Sequence, residues 1–179
     1  MEHKGTIRLE TERLILRRVS LGDVEPAFKN WVNDERVTRF LTWQPHGDES
    51  VTEEVFKSWV GSYEKKDFYQ WVIVPKYLGE PIGTISGIRP NDEEKIIEIG
   101  YCIGYDFWGK GYTAEALKKV LAFLMDDVGY ETIYAKHASA NPNSGKVMQK
   151  AGMNYKWMKE KADVVNCGAI DVVCYEIKK

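Results

Sequence analysis

The sequence predicts a single α+β domain over residues 1–179, and three observations support this fold class. Segments in which apolar and polar residues alternate, as they do in strands, occur in both halves of the chain. Segments with apolar residues at helical spacing lie between them. No linker or internal repeat divides the chain, and its 44% apolar content is enough for one core. We therefore expect about six to seven strands and about four helices.

The chain begins with a strand and a helix. Apolar residues alternate over 7–16, which predicts a first strand with an interruption at 10–12. The segment 20–23 reads Ser-Leu-Gly-Asp, which is typical of a helix start. Apolar residues at helical spacing follow it, and they predict a first helix over 24–32.

The other elements follow from the same two periodicities. A capping box that starts at Ser50 predicts a helix over 51–66, whose aromatic stripe is expected to pack in the core. The remaining predictions are strands over 69–74, 82–88 and 95–103, a helix over 113–127 ended by Gly129, a strand over 132–138, a helix over 143–151 ended by Gly152, and strands over 155–161 and 170–177.

The most informative segment joins the strand that ends at Ile103 to the helix that begins near Thr113. Gly109 and Gly111 lie in the loop between them, where the missing side chains let a bound group approach the backbone. The first turn of a helix presents unpaired N–H groups, and its dipole adds roughly half a positive charge. The junction therefore predicts a site for a phosphorylated cofactor.

Gly109, Gly111 and Ala114 also satisfy the dinucleotide fingerprint G-x-G-x-x-G/A. In that fold the strand runs directly into the first glycine, whereas residues 104–108 intervene here. The motif also begins after residue 100, which leaves about 70 residues for a fold that needs two βαβαβ halves. The Rossmann interpretation therefore does not fit, and a glycine-rich turn without a ligand is the other alternative.

The same loop resembles the acetyl-CoA-binding motif Q/R-x-x-G-x-G/A of the GNAT acetyltransferase superfamily, aligned on Trp108, Gly111 and Thr113. Trp replaces Gln or Arg, and Thr replaces Gly or Ala, at positions where the family mostly uses the backbone. Residues 99–112 also follow I-G-Y-x-I-x-x-x-x-W-G-K-G-Y, which is similar to the Rim-type ribosomal-protein N-acetyltransferases.

Two further segments extend this resemblance. Residues 11–17 are similar to the first strand of the Rim-type branch, and 141–152 to its late helix, so the resemblance covers about residues 7–176. It implies a mixed, mostly antiparallel sheet that splays near its middle, between the strands near 98–103 and 132–138. The pantetheine arm of acetyl-CoA is expected in this gap, bonded to the backbone like an added strand.

The resemblance also implies which residues bind acetyl-CoA. Thr113 has two interpretations, since its hydroxyl is either an extra donor to the pyrophosphate or only a helix N-cap. The residues expected at the cofactor are Tyr101, Cys102, Ile103, Trp108, Gly109, Lys110, Gly111, Tyr112, Thr113, Asn141 and Ser144.

Acetyl transfer to an amine needs a base, a donor to the carbonyl oxygen and an acid for the departing thiolate. Glu98 is the expected base, although a surface carboxylate paired with lysine is an equal alternative. The backbone N–H of Cys102 is the expected donor. Ser144 is the expected acid, because Met148, which cannot donate a proton, stands where many GNAT enzymes carry a tyrosine as the acid. The alternative is that Ser144 is only a hydroxyl at the helix N-terminus. Direct attack in a ternary complex is expected, with no metal; Cys102 as a covalent nucleophile is the alternative.

The acceptor is expected to be a primary amine, foremost the α-amine of a protein or peptide N-terminus. Small amines such as polyamines or aminoglycosides, and a noncatalytic CoA-binding sensor, are the alternatives. Eight residues could wall a pocket for a cationic acceptor, or equally be core and solvated loop: Trp31, Trp43, Tyr63, Trp71, Asp34, Glu35, Asp48 and Glu49.

Charge and composition exclude other classes of protein. The net charge is −2 and the basic residues are scattered, which argues against generic nucleic-acid binding. No apolar run approaches the ~20 residues that span a bilayer, and no signal-peptide pattern is present, so a cytoplasmic enzyme is expected. The spacing of the 3 cysteines and 3 histidines predicts neither a disulfide nor a metal site. A homodimer is compatible with the Rim-type resemblance.

Overall fold

An eight-stranded sheet forms the centre of the protein, and the computed structural model describes residues 1–179. The strands are β1 Leu9–Glu10, β2 Leu14–Arg17, β3 Tyr69–Pro75, β4 Gly83–Asn91, β5 Ile96–Ile103, β6 Thr132–Ala138, β7 Asn154–Val165 and β8 Gly168–Lys178. They lie side by side in the order β1-β2-β3-β4-β5-β6-β8-β7. Every neighbouring pair is antiparallel except β5 and β6, which are parallel.

Helices cover both faces of this sheet. A 3-10 turn over Leu21–Asp23 precedes the first α-helix, and π-helical turns over Phe28–Val32 and Phe123–Val128 extend the α-helices that come before them. Gly129, with φ of 100°, ends the second of these turns in the left-handed conformation that favours glycine. No helix combines the length and apolar character that crossing a bilayer requires. The α-helices are α1 Val24–Ala27, α2 Glu35–Thr38, α3 Glu49–Ser62, α4 Tyr112–Ala122 and α5 Pro142–Lys150.

The predicted α+β class is confirmed, with two corrections to its elements. The interruption predicted at 10–12 is a reversal of the chain, because Leu9 pairs with Leu16 across β1 and β2, which is why the sheet has eight strands. Helix α3 begins two residues before the predicted start. Asp48, rather than Ser50, is its N-cap, since the Asp48 carboxylate accepts a hydrogen bond from the Ser50 N–H.

The two faces of the sheet carry separate apolar clusters. A cluster of 27 buried residues lies between the sheet and helices α4 and α5, and it includes Ile99 and Ile103 of β5. A cluster of 9 buried residues lies under α1 and α3, and Cys102 packs against it. Because strand side chains alternate, residues 99, 101 and 103 face α4 and α5, whereas 98, 100 and 102 face α1 and α3. Strand β5 therefore contributes side chains to both faces.

The predicted splay is present between β5 and β6. These strands pair only from Ile96 opposite Thr132 to Ile99 opposite Ala135. Beyond that point β5 continues against β4, and β6 continues against β8. A gap therefore opens between residues 100–103 and 136–138.

A buried ion pair anchors the start of α1 to β2. The Asp23 side chain is 6% exposed and accepts hydrogen bonds of 2.7 Å from both terminal nitrogens of Arg17. Burial alone would raise the pKa of Asp23, but the hydrogen bonds from Arg17 and Ser20 outweigh it and the net shift of the pKa is downward. Asp23 therefore contributes stability that is present above the ordinary carboxyl pKa and is lost as pH falls through the lowered value.

We expect Asp23→Ala to destabilise the fold by about 2–3 kcal/mol at pH 7, because it leaves Arg17 half-buried without its partner. Urea unfolding at pH 7 and at pH 3 measures this difference, which should shrink at the lower pH. Glu53→Ala is the control, since the Glu53–Lys57 pair is exposed and surface pairs contribute little. Equal midpoints for the Asp23 variant and the wild type at pH 7 would contradict this account.

Candidate active site

A cavity of about 360 Å³ occupies the gap between β5 and β6 and continues past the N-termini of α4 and α5. Its wall contains Lys136, Lys146 and Lys150 and no acidic side chain. A protein of net charge −2 thus places a locally positive cavity here, which suits an anionic ligand.

The loop before α4 forms an anion cradle. The backbone N–H groups of residues 109–114 make no hydrogen bond within the protein, and the first intrahelical bond is from Glu115 to Gly111. Gly109 and Gly111 have φ of 75° and 81°, a conformation that side chains other than glycine adopt only with strain. Consecutive free N–H groups at a helix start are the groups that bind phosphate, so this loop fits the pyrophosphate of CoA.

Three predicted residues in this loop have roles that the sequence does not define. The Trp108 indole N–H donates to the Ile103 carbonyl at 2.9 Å while its ring lines the cavity. The Lys110 ammonium lies over the Phe107 ring and does not line the cavity, so only its N–H belongs to the cradle. Thr113 is not the N-cap, because Gly111 occupies that position.

Strand β5 and helix α5 meet at Tyr101 and Ser144. The Tyr101 hydroxyl lies 3.0 Å from both the Oγ and the carbonyl oxygen of Ser144. Burial raises the pKa of Tyr101, so the phenol keeps its proton and remains a hydrogen-bond donor. Met148 is buried in the core, whereas the Asn141 side chain lines the cavity and caps nothing. A phenol from β5 therefore stands beside Ser144, although α5 supplies none.

The hydrogen-bonding phase of β5 corrects the prediction for the Cys102 amide. The Gly104 N–H donates to the Ile82 carbonyl at 2.8 Å, toward β4. In an antiparallel pair, the N–H groups of every second residue point toward the same neighbouring strand. Cys102 lies two residues before Gly104, so its N–H also points toward β4, where its partner is Thr84. It is directed away from the gap, contrary to expectation.

The neighbouring residues on β5 point the other way. Thr132 of β6 donates its N–H to the carbonyl of Lys95, the residue before β5, at 3.2 Å. The backbone N–H and C=O groups of the odd-numbered residues of β5 therefore point toward β6. Tyr101 and Ile103 carry their backbone groups into the gap where β5 and β6 no longer pair. The Ile103 carbonyl already accepts from Trp108. The N–H groups of Tyr101 and Ile103 face the gap, and Tyr101 is the residue that contacts Ser144.

A second cavity, of about 390 Å³, lies on the opposite face of β5, below α3. Tyr101, Cys102 and Leu41 line both cavities, so the two meet at the same point of β5. The other lining residues of this second cavity are Trp31, Val32, Trp43, His46, Val55, Phe56, Trp59, Gln70, Thr84, Ser86 and Gly100.

The loop over these cavities is held by the β7–β8 turn. The Asn166 side chain donates to the carbonyls of Thr38 and Trp43 at 2.9 and 2.7 Å, and the Asn166 N–H donates to Leu41. These bonds fix a loop whose residues Leu41 and Trp43 form part of the cavity walls. A turn distant in sequence thus helps to shape the site.

The predicted cationic pocket is not formed. Trp31 and Trp43 line the second cavity, but Trp71 is fully buried in the core. Tyr63 is buried in the smaller cluster, where its hydroxyl donates to the Gln70 carbonyl. The acidic residues are elsewhere: Asp34 pairs with Arg36, Asp48 caps α3, and Glu35 and Glu49 are exposed. No charged side chain lines the second cavity.

Glu98 lies outside both cavities. One oxygen of its carboxylate accepts from Arg89 at 2.9 Å and from Lys136 at 2.8 Å. These contacts match the alternative to the role of base, which was a carboxylate paired with a lysine.

His46 lines the second cavity and was not singled out by the sequence. Its Nδ1 lies 2.8 Å from the Thr52 hydroxyl, and its Nε2 has no partner in the protein. Burial lowers the pKa of His46, so the ring is neutral at pH 7 and able to accept a proton. A lone histidine in a loop carries no motif, and only the fold places it at the cavity.

Cys102 is poorly suited to be a covalent nucleophile. Burial raises the pKa of its thiol, and the Sγ atom contacts the Thr84 hydroxyl at 3.4 Å rather than a base. The thiol therefore stays protonated, whereas a nucleophilic cysteine needs thiolate character.

A phosphate cradle beside a splayed sheet, joined through β5 to a separate cavity, suits a transferase that binds a phosphorylated donor in one cavity and its acceptor in the other. The chain belongs to the GNAT acetyltransferases, because the model of the acetyltransferase (GNAT) domain matches residues 13–154. It is an acetyl-CoA-dependent N-acetyltransferase of this family. No group of side chains in the structure is arranged to hold a metal ion.

Several known proteins are similar to it. The uncharacterized N-acetyltransferase YoaA of Bacillus subtilis is 28% identical over 171 residues, which is 96% of each chain. The structure of ribosomal-protein-S5-alanine acetyltransferase from Vibrio fischeri superposes with a TM-score of 0.84 at 17% identity, over 96% of each chain. RimL, a ribosomal L7/L12 α-N-protein acetyltransferase in complex with coenzyme A, gives a TM-score of 0.84 at 16% identity, over 96% of this chain and 98% of RimL.

Proposed function

We propose that the enzyme acetylates the α-amine of a peptide or protein N-terminus, which enters through the second cavity. The observation that carries this proposal is the meeting of the two cavities at Tyr101 and Cys102 from opposite faces of β5. An amine in the second cavity is thereby placed against a thioester in the first. Similar folds in ribosomal-protein acetyltransferases support a peptide acceptor.

The charge of the second cavity argues against polyamines and aminoglycosides. Such acceptors carry several positive charges, which need carboxylates when they leave water. The cavity wall has none. The amine of a peptide N-terminus becomes uncharged when it loses a single proton. The rest of the first residue can be uncharged, so such an acceptor enters the cavity without needing a carboxylate.

Three groups on the cavity walls serve the acyl transfer in this proposal. The Tyr101 N–H polarises the thioester carbonyl, and the Ser144 hydroxyl protonates the departing thiolate, supported by the Tyr101 phenol. The third group is His46: the amine reaches the thioester uncharged, and His46 takes the second proton, which the nitrogen releases as its bond to the carbonyl carbon forms. Glu98 as the base stays a prediction, and its two cationic partners and its place outside both cavities argue against it.

Ser144→Ala is expected to lower kcat about 10–100-fold, less than many acid catalysts contribute because a thiolate leaves readily. Tyr101→Phe should lower kcat about fivefold, since it removes one neutral hydrogen bond to Ser144. Both variants should bind acetyl-CoA in calorimetry with little change in affinity. Ser58→Ala, on the exposed face of α3, is the control. An unchanged kcat in Ser144→Ala would remove this residue from the chemistry.

A thiol-release assay tests the proposed acceptor. Peptides with free N-termini should be acetylated, and the same peptides blocked by an N-terminal acetyl group should not. Polyamines and aminoglycosides in the same assay should be poor acceptors. Turnover with these small cations alone would refute the peptide assignment, and acetyl-CoA binding without turnover on any amine would support a sensor. Loss of turnover in Cys102→Ala with CoA binding intact would replace direct attack by a covalent route.

A further inference from the structure

An unpaired amide lies at the floor of the acceptor cavity. Gln70 of β3 is 7% exposed, and its side-chain Nε2 is buried without any hydrogen-bond partner. Its backbone is fully engaged, because Thr6 accepts from the Gln70 N–H and Tyr63 donates to its carbonyl. A buried polar group left unpaired costs free energy, and native proteins retain few of them. We therefore expect that a bound ligand supplies the hydrogen-bond partner that this amide lacks.

The position of Gln70 relates it to the transfer point. Gln70 pairs with Ser86 of β4, and Ser86 pairs with Gly100 of β5. Two strand spacings, roughly 10 Å, thus separate the backbone of Gln70 from that of Gly100. Gly100 has no side chain, and only the small side chain of Ser86 stands between it and Gln70 on this face. Gln70 and Cys102 thus line the same cavity, on the face of the sheet that receives the acceptor.

The cavity walls define what else the acceptor carries. Trp31, Trp43, Phe56 and Trp59 surround the floor, and the Phe56 and Trp59 rings stack with centroids 5.3 Å apart. A carboxylate brought among these rings loses its hydration without gaining a partner, and an ammonium gains only a ring face, which compensates it less than a carboxylate would. An aromatic or apolar side chain gains burial instead.

From these contacts we infer that Gln70 is the residue that recognises the acceptor, through a hydrogen bond between its side-chain amide and the amide group that follows the α-amine. The first residue of the acceptor is then uncharged and apolar or aromatic. This inference rests on the proposed peptide function and adds to it the class of N-terminus that the enzyme selects.

Phenylalaninamide and phenethylamine test the contribution of the carbonyl, because they share the ring and differ in the amide group; their rates are compared per concentration of neutral amine, since an alkyl amine is more basic than an α-amine. Wild-type enzyme should use phenylalaninamide with kcat/KM about tenfold higher, the worth of one good hydrogen bond in a buried site. Gln70→Leu should remove this preference mainly by raising KM for phenylalaninamide. Equal use of the two amines by the wild type, or an equal loss for both in Gln70→Leu, would overturn the assignment.

A stability measurement separates recognition from a structural role. Leucine has nearly the volume of glutamine and leaves no unpaired amide, so Gln70→Leu should melt at the same temperature as the wild type or higher. A structural role would lower the melting temperature. Gln149→Leu is the matched control on the exposed face of α5, and it should leave the ratio of the two amines unchanged.

Binding gives a readout that does not depend on turnover. Quenching of the cavity tryptophans, with CoA present, should show tighter binding of phenylalaninamide than of phenethylamine or lysinamide in the wild type, and equal binding of the first two in Gln70→Leu. If this binding pattern appears while no peptide is acetylated, the proposed function fails and the recognition holds. Acetylation of charged and apolar N-termini at equal rates would leave the proposed function standing and refute the inference.

Discussion

His46→Gln is expected to lower kcat/KM for a peptide acceptor by about 10²–10³-fold, in the range that positioned bases contribute. Glutamine preserves the size of the side chain and a polar contact to Thr52, but it cannot take a proton from the amine. The imidazole is neutral at pH 7, because burial lowers the pKa of His46, and its Nε2 has no competing partner. Acetyl-CoA affinity should be unaffected, since His46 lies on the acceptor side of β5.

Glu98→Gln is the matched comparison, because it makes the same chemical change at the other proposed base. Its carboxylate is held by Arg89 and Lys136, and we expect a loss in kcat/KM below about threefold once the pair is broken. A large loss in Glu98→Gln with a small one in His46→Gln would reverse the assignment and restore the carboxylate as the base.

The pH profile provides an independent check on His46. The base acts in its neutral form, so kcat/KM falls as pH falls through a pKa below the ordinary histidine value. The acceptor α-amine, with an ordinary pKa near 8, also loses reactivity as it is protonated. The wild type should therefore show a limiting slope of about two in log kcat/KM at low pH, and His46→Gln a slope of about one.

The cofactor side could be predicted from sequence because its features are local. The glycine loop, the start of α4 and the start of α5 each occupy a few consecutive residues, and positive φ at Gly109 and Gly111 follows from residue type. The backbone phase of β5 was not predictable in this way. It depends on which edge of the strand meets β4, and it gives the free amide to Tyr101 rather than Cys102.

The acceptor side depends on contacts between distant parts of the chain. His46, Gln70 and Trp59 come from a loop, a strand and a helix, and no motif joins them. The acidic residues that suggested a cationic pocket are near in sequence to Trp31 and Trp43, yet they cap helices or face solvent. The sequence therefore indicated correctly that this part of the chain lines a cavity, and incorrectly that its carboxylates face the cavity.

Gly83→Ala is expected to have the largest structural effect. A Cβ atom at Gly83 would lie 2.3 Å from the Cys102 carbonyl oxygen and 2.7 Å from the Ile103 Cα. Both are backbone atoms of β5, so no side chain can turn aside and the strand itself must move. We expect a loss of about 3 kcal/mol or more in unfolding free energy. Catalysis should fail with it, because Cys102 lies where the two cavities meet.

Gly61→Ala is the control that isolates the steric cause. Gly61 lies within α3, and a Cβ there meets no atom within 4 Å. This variant should be more stable than the wild type by about 1 kcal/mol, the difference in helix propensity between alanine and glycine. Urea unfolding measures both variants, and kcat/KM of the folded fraction reports the junction. A Gly83→Ala enzyme with wild-type midpoint and rate would mean that β4 and β5 tolerate a wider separation, and that the two cavities do not need their present spacing.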